Sequence, residues 1–559
     1  MLILAVWWLW MPVVYAMFWL LQHLVFEGMD WSQRWDQYFM ANFWSGSVML
    51  WLWLTVGFIG TAVIIFSSME DDFGSTGSLS VSLILGVIAV IVVIATFVQL
   101  FRVEWDNDKD FARYYNKSTV FYTPNLQAAP DSLARLLKGA YQPSDSKCDL
   151  VGNADVPSCI KQGTLADTGW EPRVGSLDGA TIALQRTSGD IQKVSLNAKT
   201  LAYLNEWHGQ SPRWSGVLDG KGITQSLGGV SEWEGTGQPI QCLFKGPYAI
   251  DKALSGGRSN SLGNLLAVEY PALRYDTTDV WGYCDGDQPI VVIPMRRQIY
   301  FKDRTVDTAG GVVTVQGDHG KTKLTYYSSV AAGQFLGPVY PASLVTTQRS
   351  QAAWAAGRQN QDRNGFGYEP ATSVAQAGNV SEYLLRNKAT GRLEWVTPLT
   401  LRHSSSELFV AYAVSPADTV SDKVLNPLTI YVLADNDPRR INIDNLEADA
   451  LNYLAKNAGT FISNGGKLVE FTPVDGDIWR AFGELNGRVV YRLDISASKK
   501  IETQLVSLDV ASTTDHQATN TDCGLPLAQL TPNQLTNCIK QLADELANRQ
   551  QPSSTPPSK

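Results

Sequence analysis

The sequence predicts an α+β protein built in two unlike parts. Three transmembrane helices come first, and a multi-domain, strand-rich soluble region with a few amphipathic helices follows. Three observations lead there. Long apolar runs fill most of the first 101 residues, short β-branched stretches punctuated by Gly, Pro, Asn and Asp dominate the remainder, and all six cysteines lie after the last run. A chain of 559 residues also exceeds a single core, since domains hold roughly 100 to 200 residues.

The amino-terminal region, 1–101, carries its runs at about 2–26, 43–66 and 79–101. Each reaches the roughly 20 residues that a helix needs to cross about 30 Å of hydrocarbon. Half of the 18 tryptophans fall between Trp7 and Trp53, many at run ends, where an amphipathic ring prefers the headgroup layer. No basic stretch precedes the first run, which is also too long for a secretory signal, so it is expected to stay in the mature protein. Gln22 and His23 sit near the end of that run, where interfacial anchoring is favoured over an ion path. Ser82 and Gly86, four residues apart in the third run, would let helices approach closely, within the bundle or between protomers.

Two signals compete over which side the remainder occupies. In "FRVEWDNDKDFARYYNK" the basic residues Arg102, Lys109, Arg113 and Lys117 favour the cytoplasm, but four acids dilute them and long domains translocate largely regardless of charge. The cysteines Cys148, Cys159, Cys242, Cys284, Cys523 and Cys538 favour the opposite side. They are even in number, absent from the spans and too dispersed for a structural zinc site, a pattern that suits disulfides in an oxidising compartment. Of fifteen possible pairings, the nearest-neighbour one joins Cys148 to Cys159, Cys242 to Cys284 and Cys523 to Cys538; buried free thiols are the alternative. The cysteine reading makes the large region extracytoplasmic and 102–140 a solvated stalk ending in a short helix at "APDSLARLLKG". The sequons at Asn116 and Asn379 are compatible with that side.

Within the large region, 141–285 reads as a strand-rich domain containing strands such as "ATIALQ" and "QCLFKG". An α+β unit over 286–380 contains "PIVVIPMRRQIYFKDRTVDTAGGVVTV", in which a run ending at Pro294 leads to a turn at Asp307 and Gly310-Gly311. A second unit, 381–510, contains "RLEWVTPLTLR" and "LTIYVLADND", suggesting duplication. It continues with a helix over "IDNLEADALNYLAKNAG", capped by Asp444 with Glu447 three residues on and stopped by Gly459. A hairpin pairing "KLVEFTPV" with "RVVYRLDIS" follows. The end, 511–559, holds a helix in "LTPNQLTNCIKQLADELANR" and a proline-rich tail expected to be disordered.

The strand, proline and "VD…G" pattern of the first unit resembles PepSY-type domains of envelope proteins, although the second unit lacks the glycine after Asp435. The strings "GNVSEYLLR" and "GGKLVEFTPVDGDIWRAFGELNGRVVYRLDIS" resemble uncharacterised three-span membrane proteins carried by actinobacteria and their phages. That resemblance implies a membrane setting and no particular activity.

Beyond Phe101 the chain has 44 basic and 48 acidic residues, a near-balance with no footprint for nucleic acid. Phosphate-loop, zinc-protease, nucleophile-elbow and dinucleotide motifs are absent from the sequence. The five histidines are far apart. Asp106, Asp108 and Asp110 start like a calcium loop, but Phe111 and Lys117 stand where glycine and glutamate are required. The acidic triplets at 285–287, 435–437 and 475–477 read as tight turns before they read as cation sites. No catalytic, cofactor or metal residue is therefore assigned, and no cofactor is expected. The expected partners are the lipid bilayer and another envelope protein or further copies of this chain. The reading is a non-enzymatic, membrane-anchored envelope protein; a transport or secretion-channel subunit and an envelope hydrolase with a site assembled from distant residues are the alternatives.

Overall fold

The computed structural model describes Ile94 and most residues from 112 to 507; the stretches 126–159, 353–367, 371–382, 402–407 and 497–503 are among those outside it. The chain divides after Leu508, and every described residue belongs to the first unit, Met1–Leu508. Of the expected spans only Ile94 is described, in helical conformation. No helix among the described residues is long and apolar enough to cross a membrane.

The described region is strand-rich, as expected, and its strands form four main sheets. The largest runs β2-β1-β20-β18-β17-β16-β3, with β15 also on β17. Its members are β1 (Thr119–Thr123), β2 (Ile160–Gln162), β3 (Trp170–Glu171), β15 (Tyr368–Pro370), β16 (Tyr383–Asn387), β17 (Leu393–Leu401), β18 (Phe409–Pro416) and β20 (Leu428–Val432). β1 pairs in parallel with both β2 and β20, whereas the remaining pairs are antiparallel. A second sheet holds β4 (Val194–Leu196), β5 (Ala202–Leu204), β6 (Arg213–Gly220), β7 (Gly229–Trp233) and β8 (Ile240–Leu243). A third holds β9 (Leu273–Arg274), β10 (Trp281–Asp285), β11 (Gln288–Phe301), β12 (Arg304–Asp318) and β13 (Lys321–Tyr327). The fourth is a meander of β21 (Lys467–Pro473), β22 (Ile478–Leu485), β23 (Arg488–Ser496) and β24 (Gln504–Ser507), and a small ladder joins β14 (Ser329–Val330) to β19 (Val420–Ser421).

Among the described residues, helices fill the spaces between the sheets: α1 (Leu177–Ser188), α2 (Leu262–Glu269), α3 (Ala342–Ala352), α4 (Ile443–Asn457) and α5 (Gly459–Ser463). Alternate residues of β6, β7, β11 and β12, including Val217, Val230, Ile293 and Val313, close one core between the second and third sheets. Another forms where α4 lays Leu446, Ala450 and Leu454 against Phe409 of the large sheet and Trp479 of the fourth. α1 packs Ala180 and Leu184 between the second and largest sheets, against Trp214 and Leu384.

Several expectations are corrected by these contacts. The "ATIALQ" segment is helical, because Leu177, Ala180 and Leu184 share a face and Ser176 caps the helix by accepting from Gly179 N. The stalk expected over 102–140 gives way to folded structure by Ala112: Tyr115 is fully buried, its hydroxyl donates to Asp307 O, and β1 lies inside the largest sheet. Asn116 is 3% exposed and its Nδ2 donates to Gln351 O, so that sequon is not presented to solvent. The turn expected at Asp307 and Gly310-Gly311 lies inside β12. β11 runs on through Pro294 at a bulge, and Gly311, at φ 77°, packs where a Cβ would strike Tyr327 O.

"KLVEFTPV" and "RVVYRLDIS" are not partners, because "IWRAFGEL" forms β22 and pairs with both. The cap of α4 is Asn442, which accepts from Asp444 N and Asn445 N, and Gly459 opens α5 rather than ending α4. The sheets also cross the expected domain boundaries. β10 and β11 pair across 285/286, while the largest sheet combines residues from 119 to 432. The first boundary falls inside a local hairpin, and the largest sheet is decided by strand pairing between distant segments, invisible to local composition.

Candidate functional site

Three of the four main sheets, the largest, the second and the fourth, meet around Arg173, in the short connection between β3 and α1. Its Nε donates to Leu384 O on β16 at 3.2 Å, and its Nη1 to Glu470 Oε1 on β21 at 2.7 Å. The guanidinium lies 5.2 Å from the ring centroid of Trp214, 5.8 Å from Tyr383 and 5.9 Å from Tyr203. Cation–π attraction and the ion pair thus hold one charge from three sheets at once.

Glu470 is fully buried and adopts φ 55°, a left-handed conformation uncommon for a non-glycine residue. The reason is local. It sits in a bulge of the β21–β22 pairing, where the register shifts between Val469 and Thr472, and the bulge turns its side chain toward Arg173. Its second oxygen accepts from Leu177 N, at the positive end of α1. Burial nevertheless raises the Glu470 carboxyl above its ordinary range, against the opposing pull of Arg173 and Leu177 N. The Tyr383 hydroxyl beside this pair is buried and has no hydrogen-bond partner among the described residues.

A cavity of about 130 Å³ adjoins the node. The second sheet contributes Tyr203 and Trp214, the third Trp281 and Pro294, the largest Leu384 and Trp395, and the entry to α3 contributes Tyr340 and Ala342. Arg173 and Asp279 border it as charged groups. Asp279, 6% exposed, caps α3 from outside: its carboxylate accepts from Ser343 N at 3.2 Å and from Ser343 Oγ. Burial pushes its carboxyl up to about 6, with Ser343 and Arg296 opposing that rise. Tyr340 in turn donates to Gln348 Oε1 at 2.7 Å, and Gln348 Nε2 donates to Asn426 O and Ser118 Oγ, tying the cavity wall to the entrance of β1.

Cys242 on β8 and Cys284 on β10 form a disulfide, Cα to Cα 5.8 Å, that fastens the second sheet to the third. Next to it, Glu232 Oε1 accepts from Cys284 N and Oε2 pairs with Arg213 at 3.1 Å, both charges buried.

No protein-family model, curated protein or solved structure matches this chain.

Of the residues singled out from sequence, Cys242 and Cys284 come together as the nearest-neighbour pairing expects. Cys148, Cys159, Cys523, Cys538, Ser82 and Gly86 lie outside the described residues, as do Gln22, His23, Asp106, Asp108 and Asn379. The three acidic triplets close turns, with Gly286 at φ 59° in the two-residue connection between β10 and β11. Among the described residues no group of three or more His, Cys, Asp or Glu side chains could hold a metal ion. Arg173, Glu470 and Asp279 escaped the sequence reading. The first two are 297 positions apart, and no local motif announces either.

Proposed function

We propose that this chain is a non-enzymatic envelope protein, anchored by the three apolar runs at 2–26, 43–66 and 79–101, whose folded body lies outside the cytoplasm and binds another envelope component. The observation that carries this reading is the Cys242–Cys284 disulfide, which cross-links two sheets in a chain whose cysteines all follow the apolar runs. Disulfides persist where the surroundings are oxidising. The start of the packed region supports close anchoring: ten residues, 102–111, separate the last run from Ala112 and can span at most roughly 35 Å. The body is then held near the bilayer surface. The cavity suits binding, since it is aromatic-walled and small, and the Asp279 carboxylate beside it is engaged in capping a helix.

Acid-quenched cells, alkylated first, reduced and then alkylated with a second reagent, test the reading by peptide mapping. Cys242 and Cys284 are expected to carry the second reagent. Finding the first reagent on both would overturn the extracytoplasmic assignment, and substrate turnover by the purified chain would overturn the non-enzymatic one.

A further inference from the structure

We infer that the free edge of β13 (Lys321–Tyr327) is a docking site for one extended segment of a partner protein, which adds to the third sheet as its next strand and alternates apolar with acidic side chains. The inference rests on the binding role proposed above and gives that role a surface and a partner chemistry.

The backbone makes the site. β13 pairs with β12 alone among the described residues, in unbroken register from Asp318 opposite Lys321 to Val312 opposite Tyr327. His319 and Gly320, at φ 48° and 89°, form the two-residue turn, which makes Asp318 and Lys321 a mutually hydrogen-bonded pair. By alternation, Lys321, Lys323, Thr325 and Tyr327 turn their backbone groups toward β12, whereas Thr322, Leu324 and Tyr326 turn theirs outward. Two bonds at the ends agree. Thr322 N donates to Asp251 Oδ1 at 2.9 Å, and Ser328 O accepts from Asp422 N at 2.7 Å. Between these two stops, the N–H and C=O groups of Leu324 and Tyr326 have no partner among the described residues. An unpaired edge of this kind is a template for another strand. From Thr322 to Ser328 it measures about 20 Å, room for a strand of about six residues.

The two faces of the edge set the side chains. Leu324 and Tyr326 border the core between the second and third sheets, and the ring of Tyr270, just after α2, lies 5.4 Å from that of Tyr326. Residues docked opposite them meet half-buried apolar surface, and Glu269 beside Tyr270 disfavours an acid there. On the other face the exposed Lys321 and Lys323, with His319, share a single carboxylate, Asp318, which is held by His319 at 2.8 Å. The neighbouring charges are already paired, Arg297 with Asp422 at 2.6 Å and Asp251 with Lys252 at 2.7 Å. That face stays positive at Lys323, which stands opposite Gln316, so a carboxylate on the docked strand is its complement. A second copy of this chain fits worse. Pairing β13 with its twin about a two-fold axis, Leu324 opposite Tyr326, sets Thr322 of each copy opposite Ser328 of the other, positions already closed by Asp251 and Asp422, and leaves Lys323 opposite Tyr327 instead of an acid.

The test is saturation-transfer NMR on the full chain in mild detergent, with a blocked hexapeptide alternating valine and glutamate in excess. Saturable binding with a Kd near or below about 1 mM is expected. N-methylation of the valines, whose N–H groups would face β13, is expected to weaken binding at least tenfold. Leu324→Pro removes an outward N–H that β12 does not use and is expected to do the same, its melting midpoint verifying the fold. Lys323→Glu, at an exposed position, is expected to reverse the preference toward a hexapeptide alternating valine and lysine, and it carries the test alone if Leu324→Pro does not fold. Absence of saturable binding, equal binding of the N-methylated peptide, unchanged binding by folded Leu324→Pro, or an unchanged preference in Lys323→Glu overturns the inference. A dimer in sedimentation that Leu324→Pro dissociates would give the edge to a second copy and overturn it as well. Because the titration is done on purified protein, its failure leaves the extracytoplasmic assignment standing, and the alkylation experiment can fail without affecting it.

Discussion

Removing the charge of Arg173 should expose how the sheets are held together. In Arg173→Met, Glu470 keeps a carboxylate at zero exposure with only Leu177 N as a partner. Breaking a buried pair in this way costs about 3–5 kcal/mol. Glu470→Gln preserves an acceptor for Leu177 N but leaves the guanidinium uncompensated among three aromatic rings. The double variant Arg173→Met with Glu470→Gln removes both charges, leaving mainly lost hydrogen bonds, of about 1–3 kcal/mol. The singles should therefore sum to more than the double by at least about 2 kcal/mol, a coupling typical of groups in one network. Urea unfolding of the intact chain in mild detergent, followed by tryptophan fluorescence, measures all four corners. Arg173→Met should also gain stability as pH falls. The folded-state pKa of Glu470 is already raised and rises further without Arg173, so folding is favoured at low pH and that contribution is lost as pH climbs through the folded value. Additive singles within about 0.5 kcal/mol, or a pH-independent Arg173→Met, would refute the claim that this pair joins the sheets.

Three further outcomes follow from the same structure. Asp279 has its pKa raised from 3.8 to about 6, so its protonated form favours folding and that contribution disappears as pH rises through 6. The stability difference should therefore move in favour of Asp279→Asn by about 2 kcal/mol between pH 4 and pH 7, read from urea midpoints. Replacing Cys242 and Cys284 by alanine releases a cross-link over a separation of 42 residues, which loop-closure entropy values at about 4 kcal/mol; an unchanged unfolding midpoint would contradict this. Expressed in a glycosylating host, the chain should carry no glycan at Asn116, because its Nδ2 is committed to Gln351 O, and the mass of the tryptic peptide decides.

What could be read from the sequence was local. β17 follows from the strand expected over "RLEWVTPLTLR", α4 from its apolar stripe at Leu446, Ala450 and Leu454, and the turn at Gly286 from Asp-Gly-Asp chemistry. Cys242 and Cys284 pair as sequence proximity suggests. The errors fall where distant segments decide. "ATIALQ" is short and apolar enough to suit a strand or a helix, and packing against Trp214 selects the helix. "FARYYNK" reads as a charged tether, yet its two tyrosines reach Phe301 and Asp307, nearly two hundred residues on. Glycines 310 and 311 resemble a turn in one dimension and prove to be the inside of a bulged strand. The Arg173–Glu470 pair was the least legible of all, since its meaning depends on a bulge that no residue type marks.

The side of the membrane on which the body lies is tested most directly by an exposed reporter. Lys321→Cys places a thiol beside the turn of the β12–β13 hairpin, in a position exposed to solvent and well separated from the disulfide in sequence. Intact cells treated with a membrane-impermeant maleimide should label this residue fully, with no increase on lysis. Labelling that occurs only after lysis would place the body in the cytoplasm and contradict the account.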